Sequence, residues 1–165
     1  MKIVQLNPAH AEDYRKLRLE ALHGDPEAFS SSFEEENAYS IDTFKNRFQS
    51  AFAFTFGAFE EEQLIGIVTL VKEQKLKLKH RASIFAMYVT PEKRGCGVGK
   101  RLVANAINKA KEDNAIQQLY LSVTATNEAA KKLYSSFGFE AYGRDKRALK
   151  VNNEYLDEDY MVLYF

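Results

Sequence analysis

Residues 89–101, Val-Thr-Pro-Glu-Lys-Arg-Gly-Cys-Gly-Val-Gly-Lys-Arg, constrain this chain more than any other stretch of it. The β-branched and aromatic run at 84–89 reads as a strand that stops before Pro91. Three alternating glycines, Gly95, Gly97 and Gly99, then lead straight into an amphipathic helix. Strand, glycine loop and helix N-terminus in that order make an anion site: consecutive backbone N–H groups point outward and the helix dipole favours negative charge. Glycine also lets the main chain close on a phosphate where a Cβ would stand in the way. The loop is expected to hold a pyrophosphate. An ordinary glycine-rich turn from strand to helix is the plain alternative.

Spacing narrows the kind of pyrophosphate. A Walker A loop counted back from Gly99-Lys100 requires glycine at position 94 and a hydroxyl at 101, where Arg94 and Arg101 stand. A Rossmann fingerprint read from Gly95 requires glycine at position 100, which is Lys100. The pattern that fits is Arg94-x-x-Gly97-x-Gly99.

Composition removes several function classes. Lys plus Arg and Asp plus Glu number 23 each, so no net field draws the chain to nucleic acid, and the basic stretch 72–81 lacks interleaved aromatics. The single cysteine, Cys96, excludes an internal disulfide and a cysteine-based metal cluster. His10, His23 and His80 have no metal-ligand spacing, so no metal is expected. The start of the chain turns polar too soon for a signal peptide, and no apolar run approaches the ~20 residues of a membrane span. The expectation is a single cytoplasmic domain over residues 1–165, with neither nucleic acid nor membrane as partner.

Along the chain, residues 3–6 read as a strand, and Asn7-Pro8 caps a helix whose apolar stripe runs Tyr14, Leu17, the Arg18 stem, Ala21 and Leu22. Gly24-Asp25-Pro26 stops it. Residues 28–39 have weak periodicity and hold Glu34-Glu35-Glu36; Ser40 or Asp42 can cap a second helix with Phe44 and Phe48 on one side. Phe52, Phe54 and Phe56 alternate at period two, residues 64–71 return as a buried strand, and 72–81 form a polar turn before the strand at 84–89. Val98, Leu102, Val103, Ala106, Ile107 and Ala110 make one stripe of the following helix. A strand at 118–124 precedes a helix capped by Asn127, with Ala130, Leu133 and Phe137 inward and Gly138 at its end. Strands at 139–147 and 155–165 close the chain around Asn152-Asn153. Antiparallel hairpins followed by a β-α-β crossover predict an α/β (α+β) fold: a mixed, mostly antiparallel sheet of six to seven strands flanked by about four helices.

A second motif, Asn127-Glu-Ala-Ala-Lys-Lys-Leu-Tyr134-Ser-Ser-Phe-Gly138-Phe139, lies about thirty residues after the glycine loop. Together with Arg94-x-x-Gly97-x-Gly99 and the order of elements, it resembles the GNAT superfamily of N-acetyltransferases. Tyr155-x-Asp157-x-x-x-Met161 is similar to a common ending of that family. The first fifty residues match only in outline.

The resemblance implies acetyl-CoA as co-substrate and an amine acceptor, a small molecule or a peptide amine. The pyrophosphate would lie on the N–H groups of Gly95, Cys96, Gly97, Val98, Gly99 and Lys100, at the loop that Arg94 opens. The pantetheine arm would pair with the backbone of Met87, Tyr88 and Val89 and touch Asn127. An N–H near Met87 or Tyr88 would steady the oxyanion. Tyr134 would be the general acid, since a phenol of pKa ~10 is protonated at neutral pH and can give its proton to a thiolate of pKa ~8.5. On the helix, Leu133 and Phe137 are expected to set the buried face, with Tyr134 at its rim. Asn127 is equally accounted for as a helix cap, Lys100 as a solvated lysine, and Cys96 as a bystander. The general base is open: Glu34, Glu35 or Glu36 could serve, or a water held by Ser122 or Thr124, against a simple solvated charge run. A non-catalytic sensor of acyl-CoA is the alternative function. Exposed strand edges near the C-terminus leave a homodimer open.

Overall fold

A computed structural model describes residues 1–165. Seven strands form one sheet: β1 (Lys2–Gln5), β2 (Ala53–Glu60), β3 (Gln63–Lys72), β4 (Arg81–Val89), β5 (Gln118–Thr124), β6 (Glu140–Val151) and β7 (Glu154–Tyr164). Their spatial order is β1-β2-β3-β4-β5-β7-β6. All neighbours run antiparallel except β4 and β5. Five helices flank the sheet: α1 (Ala11–Gly24), α2 (Phe33–Asn37), α3 (Ile41–Arg47), α4 (Val98–Lys111) and α5 (Glu128–Ser135). None is long and apolar enough to cross a membrane.

The helices divide between the two faces. The α4 stripe is buried in full and packs on Val68, Leu70, Ile84, Leu119 and Leu121 in the larger core. On the other face α1 and α3 bring Tyr14, Leu17, Ala21 and Phe44 against Leu64, Ile67 and Tyr88. Asn7 and Ser40 accept from backbone N–H groups at the helix starts, as their residue types dictate. Asn152 and Asn153, both at positive φ, turn β6 into β7.

The fifth helix, α2, lies in the stretch where periodicity is weak. A reciprocal capping box makes it: Glu35 N–H donates to the Ser32 hydroxyl and Ser32 N–H donates to the Glu35 carboxylate. Its acidic run corrects the expectation of a solvated charge cluster. Glu34 and Glu35 are exposed, but Glu36 is 2% exposed and accepts from Arg18 at 2.8 Å and Arg47 at 3.1 Å. Burial pushes its carboxyl up, yet the hydrogen bonds and charges of the two guanidiniums outweigh burial and hold it below the ordinary range.

This pairing joins α1, α2 and α3. Glu36→Gln leaves Arg18 buried with no counter-charge, and about 2 kcal/mol of stability is expected to be lost, read as a lower urea midpoint at pH 7. Because the folded pKa is depressed, the contribution is present above the unfolded value of ~4.3 and disappears as pH falls through the folded one. The variant's acid unfolding should therefore be shallower below pH ~4.

Candidate functional site

The first component is a gap in the sheet. β4 and β5 pair only through Arg81–Ser83 and Gln118–Tyr120. β4 nevertheless continues to Val89 along β3, and β5 continues to Thr124 along β7. Beyond Ser83 and Tyr120 the two facing edges therefore carry no ladder, and the central sheet opens as a V. The register of β4 against β3 also slips by one residue between Phe85 and Tyr88, with Ala86 at φ +52°. Such a bulge frees a backbone unit from the ladder and re-aims it, here beside the opening and at Met87, where the oxyanion donor is expected.

The second component is the glycine loop. A turn of 3-10 helix at Pro91–Lys93 and an extended Arg94 carry the chain to Gly95 and Gly97, at φ +76° and +82°. Gly97 is the N-cap of α4. A Cβ added at either glycine would meet nothing within 4 Å. At these two positions glycine satisfies a left-handed backbone, and no protein atom stands close to where a Cβ would be. None of the six backbone N–H groups from residue 95 to 100 donates to an acceptor in the protein; the next, Arg101 N–H, bonds to the Gly97 carbonyl. Six adjacent unpaired donors at a helix N-terminus form a cradle for an anion.

Gly99 joins the components. A Cβ there would approach Met87 Cε at 3.1 Å and Leu133 Cδ2 at 3.3 Å. The start of α4 thus rests on the bulged strand on one side and on α5 on the other. Asn127 caps α5, its Oδ1 accepting from Ala130 N–H at 3.1 Å. Tyr134, next along from Leu133, is the buried residue of that helix at 6% exposure, whereas Leu133 and Phe137 are half-buried. The inward face is centred on Tyr134, which corrects the expected rim position. Its ring meets Phe139 edge-on at 5.9 Å. Its hydroxyl makes no hydrogen bond to the protein and is not sealed from solvent. Burial alone pushes the phenol's pKa well above 10.

The remaining expected residues are placed as follows. Tyr88 and Val89 are buried at the end of β4, and the Tyr88 hydroxyl donates to Glu20 at 3.0 Å. Burial, then the Glu20 hydrogen bond, pushes the Tyr88 phenol up to about 12. Arg94 turns away from the glycines: its Nε donates to the Val89 carbonyl at 2.9 Å and its Nη2 binds Asp25. Cys96 and Lys100 are exposed, and Val98 is buried in the core.

Sequence reasoning missed the segment that bridges the V. Asp25 is tied to Arg94 on the β4 side, and the Thr124 hydroxyl of β5 donates to the Glu27 carbonyl at 2.5 Å. The 3-10 turn Pro26–Ala28 is held at both ends of the opening. Thr124 is thereby engaged, and Ser122, two residues back on β5, shares that face. Gly24-Asp25-Pro26 signals only a helix stop, and no local pattern announces its partners.

The acetyltransferase (GNAT) family model matches residues 14–139. Over nearly its whole length the chain is similar to the L-amino acid N-acetyltransferase AaaT of Escherichia coli, with 24% identity and 98% of each chain covered. It is 32% identical over 88 residues to a mycothiol acetyltransferase from Brachybacterium faecium, a match spanning 53% of this chain and only 26% of that protein. Among solved structures, yncA from Salmonella typhimurium, a putative acetyltransferase determined with its cofactor acetyl-CoA, superimposes with a TM-score of 0.81 at 16% identity, covering 99% and 93% of the two chains.

Proposed function

The chain belongs to the GNAT acetyltransferase family, and from that premise we propose that it transfers the acetyl group of acetyl-CoA to a primary amine by direct attack. The observation that carries this is the row of six unpaired N–H donors at residues 95–100, beside the open edge of β4. The cradle suits a pyrophosphate, and the unpaired edge beyond Ser83 suits the amides of a pantetheine arm, added like a strand. YncA, of the same fold, was determined with acetyl-CoA.

When bound, acetyl-CoA supplies an activated thioester. The protein's part follows from the residues. The bulge at Ala86 and Met87 offers an N–H to the thioester oxygen, which stabilises developing negative charge by a few kcal/mol. Asn127 caps α5 and keeps its amide N–H₂ free for the pantetheine arm. Tyr134 stays protonated at every working pH and donates to the sulfur as the C–S bond breaks. Its hydroxyl has no protein partner and is not sealed from solvent, which leaves it free to donate to a ligand atom and supports this role.

The reading is tested by following thiol release from acetyl-CoA with a panel of 1,4-diaminobutane, L-lysine, L-alanine and a tetrapeptide with a free N-terminus. Turnover with at least one amine is expected. Tight binding of coenzyme A with no turnover on any would instead support a CoA-binding module.

A further inference from the structure

We infer that Glu158 is the group that takes the proton from the acceptor's ammonium, with Ser122 beside it. The inference rests on the acetyltransferase reading and supplies the base that reading lacks.

The position follows from strand register. Glu158 on β7 lies opposite Thr124 of β5 and opposite Asp145 of β6. Its neighbour Asp159 points to the α5 side, where Lys131 and Arg144 bind it. Side chains alternate along a strand, so Glu158 points to the other face. That is the face on which Thr124 holds the Pro26–Ala28 bridge, at the mouth of the V and across the sheet from the glycine-loop helix. Glu36, by contrast, is taken up by Arg18 and Arg47.

The chemistry follows from what surrounds it. Glu158 is half-buried and makes no salt bridge, unlike Asp159 next to it. The group directly across is another carboxylate, Asp145, which accepts from the Tyr160 hydroxyl at 3.1 Å. Like charges directly opposite on paired strands destabilise a sheet, and no cation of the protein relieves this one. An ammonium arriving through the V would. Burial, then the Asp145 charge, pushes the Glu158 carboxyl up, and the Ser122 hydroxyl partly restores it. Tyr160 is raised as well, chiefly through its bond to Asp145, so it stays a neutral donor. A carboxylate moved toward neutral pH is a better match for an ammonium proton than an ordinary one.

The proton balance is complete. The ammonium gives one proton to Glu158, which passes it to solvent. The free amine forms the C–N bond as the C–S bond breaks. The nitrogen's second departing proton replaces the one that Tyr134 gives to the sulfur.

The test measures kcat/KM against pH for wild type, Glu158→Gln and Asp145→Asn, using the amine of the above panel that wild type turns over fastest. Acetyl-CoA affinity is measured by calorimetry alongside. Glu158→Gln is expected to lower kcat about 10²-fold and to remove the acid limb, with acetyl-CoA affinity unchanged. Asp145→Asn is expected to keep the limb but move it to lower pH, since the like charge is gone. Full turnover with an intact acid limb in Glu158→Gln overturns the inference alone. So does loss of acetyl-CoA affinity in that variant, which would put its effect on the fold or the cofactor. A wild type that binds coenzyme A and turns over no amine overturns the acetyltransferase reading and this inference together.

Discussion

Tyr134→Phe is expected to lower kcat by about 10²–10³ while acetyl-CoA affinity stays within about twofold. The side chain has two separable roles. As packing, the ring meets Phe139 and fills the larger core, and phenylalanine preserves both contacts. The hydroxyl bonds to nothing in the protein, so removing it should leave stability equal or slightly higher. A tyrosine that only packs would therefore give a silent variant. A general acid would give a folded, CoA-binding enzyme that cannot protonate its leaving group. Because burial holds the phenol above 10, its deprotonation should cause no loss of wild-type activity below pH ~10.

The second large effect is on binding. Gly97→Asp is expected to weaken coenzyme A about 10²–10³-fold. A side chain in the left-handed region costs about 1–2 kcal/mol, and a carboxylate ~8 Å from a phosphate charge costs about 2 kcal/mol at an effective dielectric of ~20; 1.4 kcal/mol is tenfold. Gly97→Ala separates the two, since its methyl would touch nothing within 4 Å. It should lose only the backbone share, about five- to thirtyfold. If Asp and Ala weaken binding equally, the loop is a conformational hinge and not the phosphate cradle.

The elements with local causes were legible in the sequence. The α4 stripe, the caps Asn7, Ser40 and Asn127, the Asn152-Asn153 turn and Gly138 at positive φ each follow from the residue in question and its neighbours. The glycine loop was legible in position and only partly in cause: Gly95 and Gly97 answer to φ, Gly99 to the closeness of Met87 and Leu133. What escaped depends on partners distant in the chain. Glu36 reads as one of three surface acids until Arg18 and Arg47 close on it from two other helices. Tyr134 reads as a rim residue until Phe139 and the sheet enclose it. Glu158 carries no signal in its own strand; its setting is made by Asp145, Ser122 and the early end of the β4–β5 ladder.

The central claim, that the main chain between residues 95 and 100 grips a pyrophosphate, is tested most directly by titrating ¹⁵N-labelled protein with coenzyme A. The amide resonances of Gly95, Cys96, Gly97, Val98, Gly99 and Lys100 should shift together and saturate with the calorimetric affinity. Saturable binding that leaves those six amides unmoved, or no binding at all, would contradict the account.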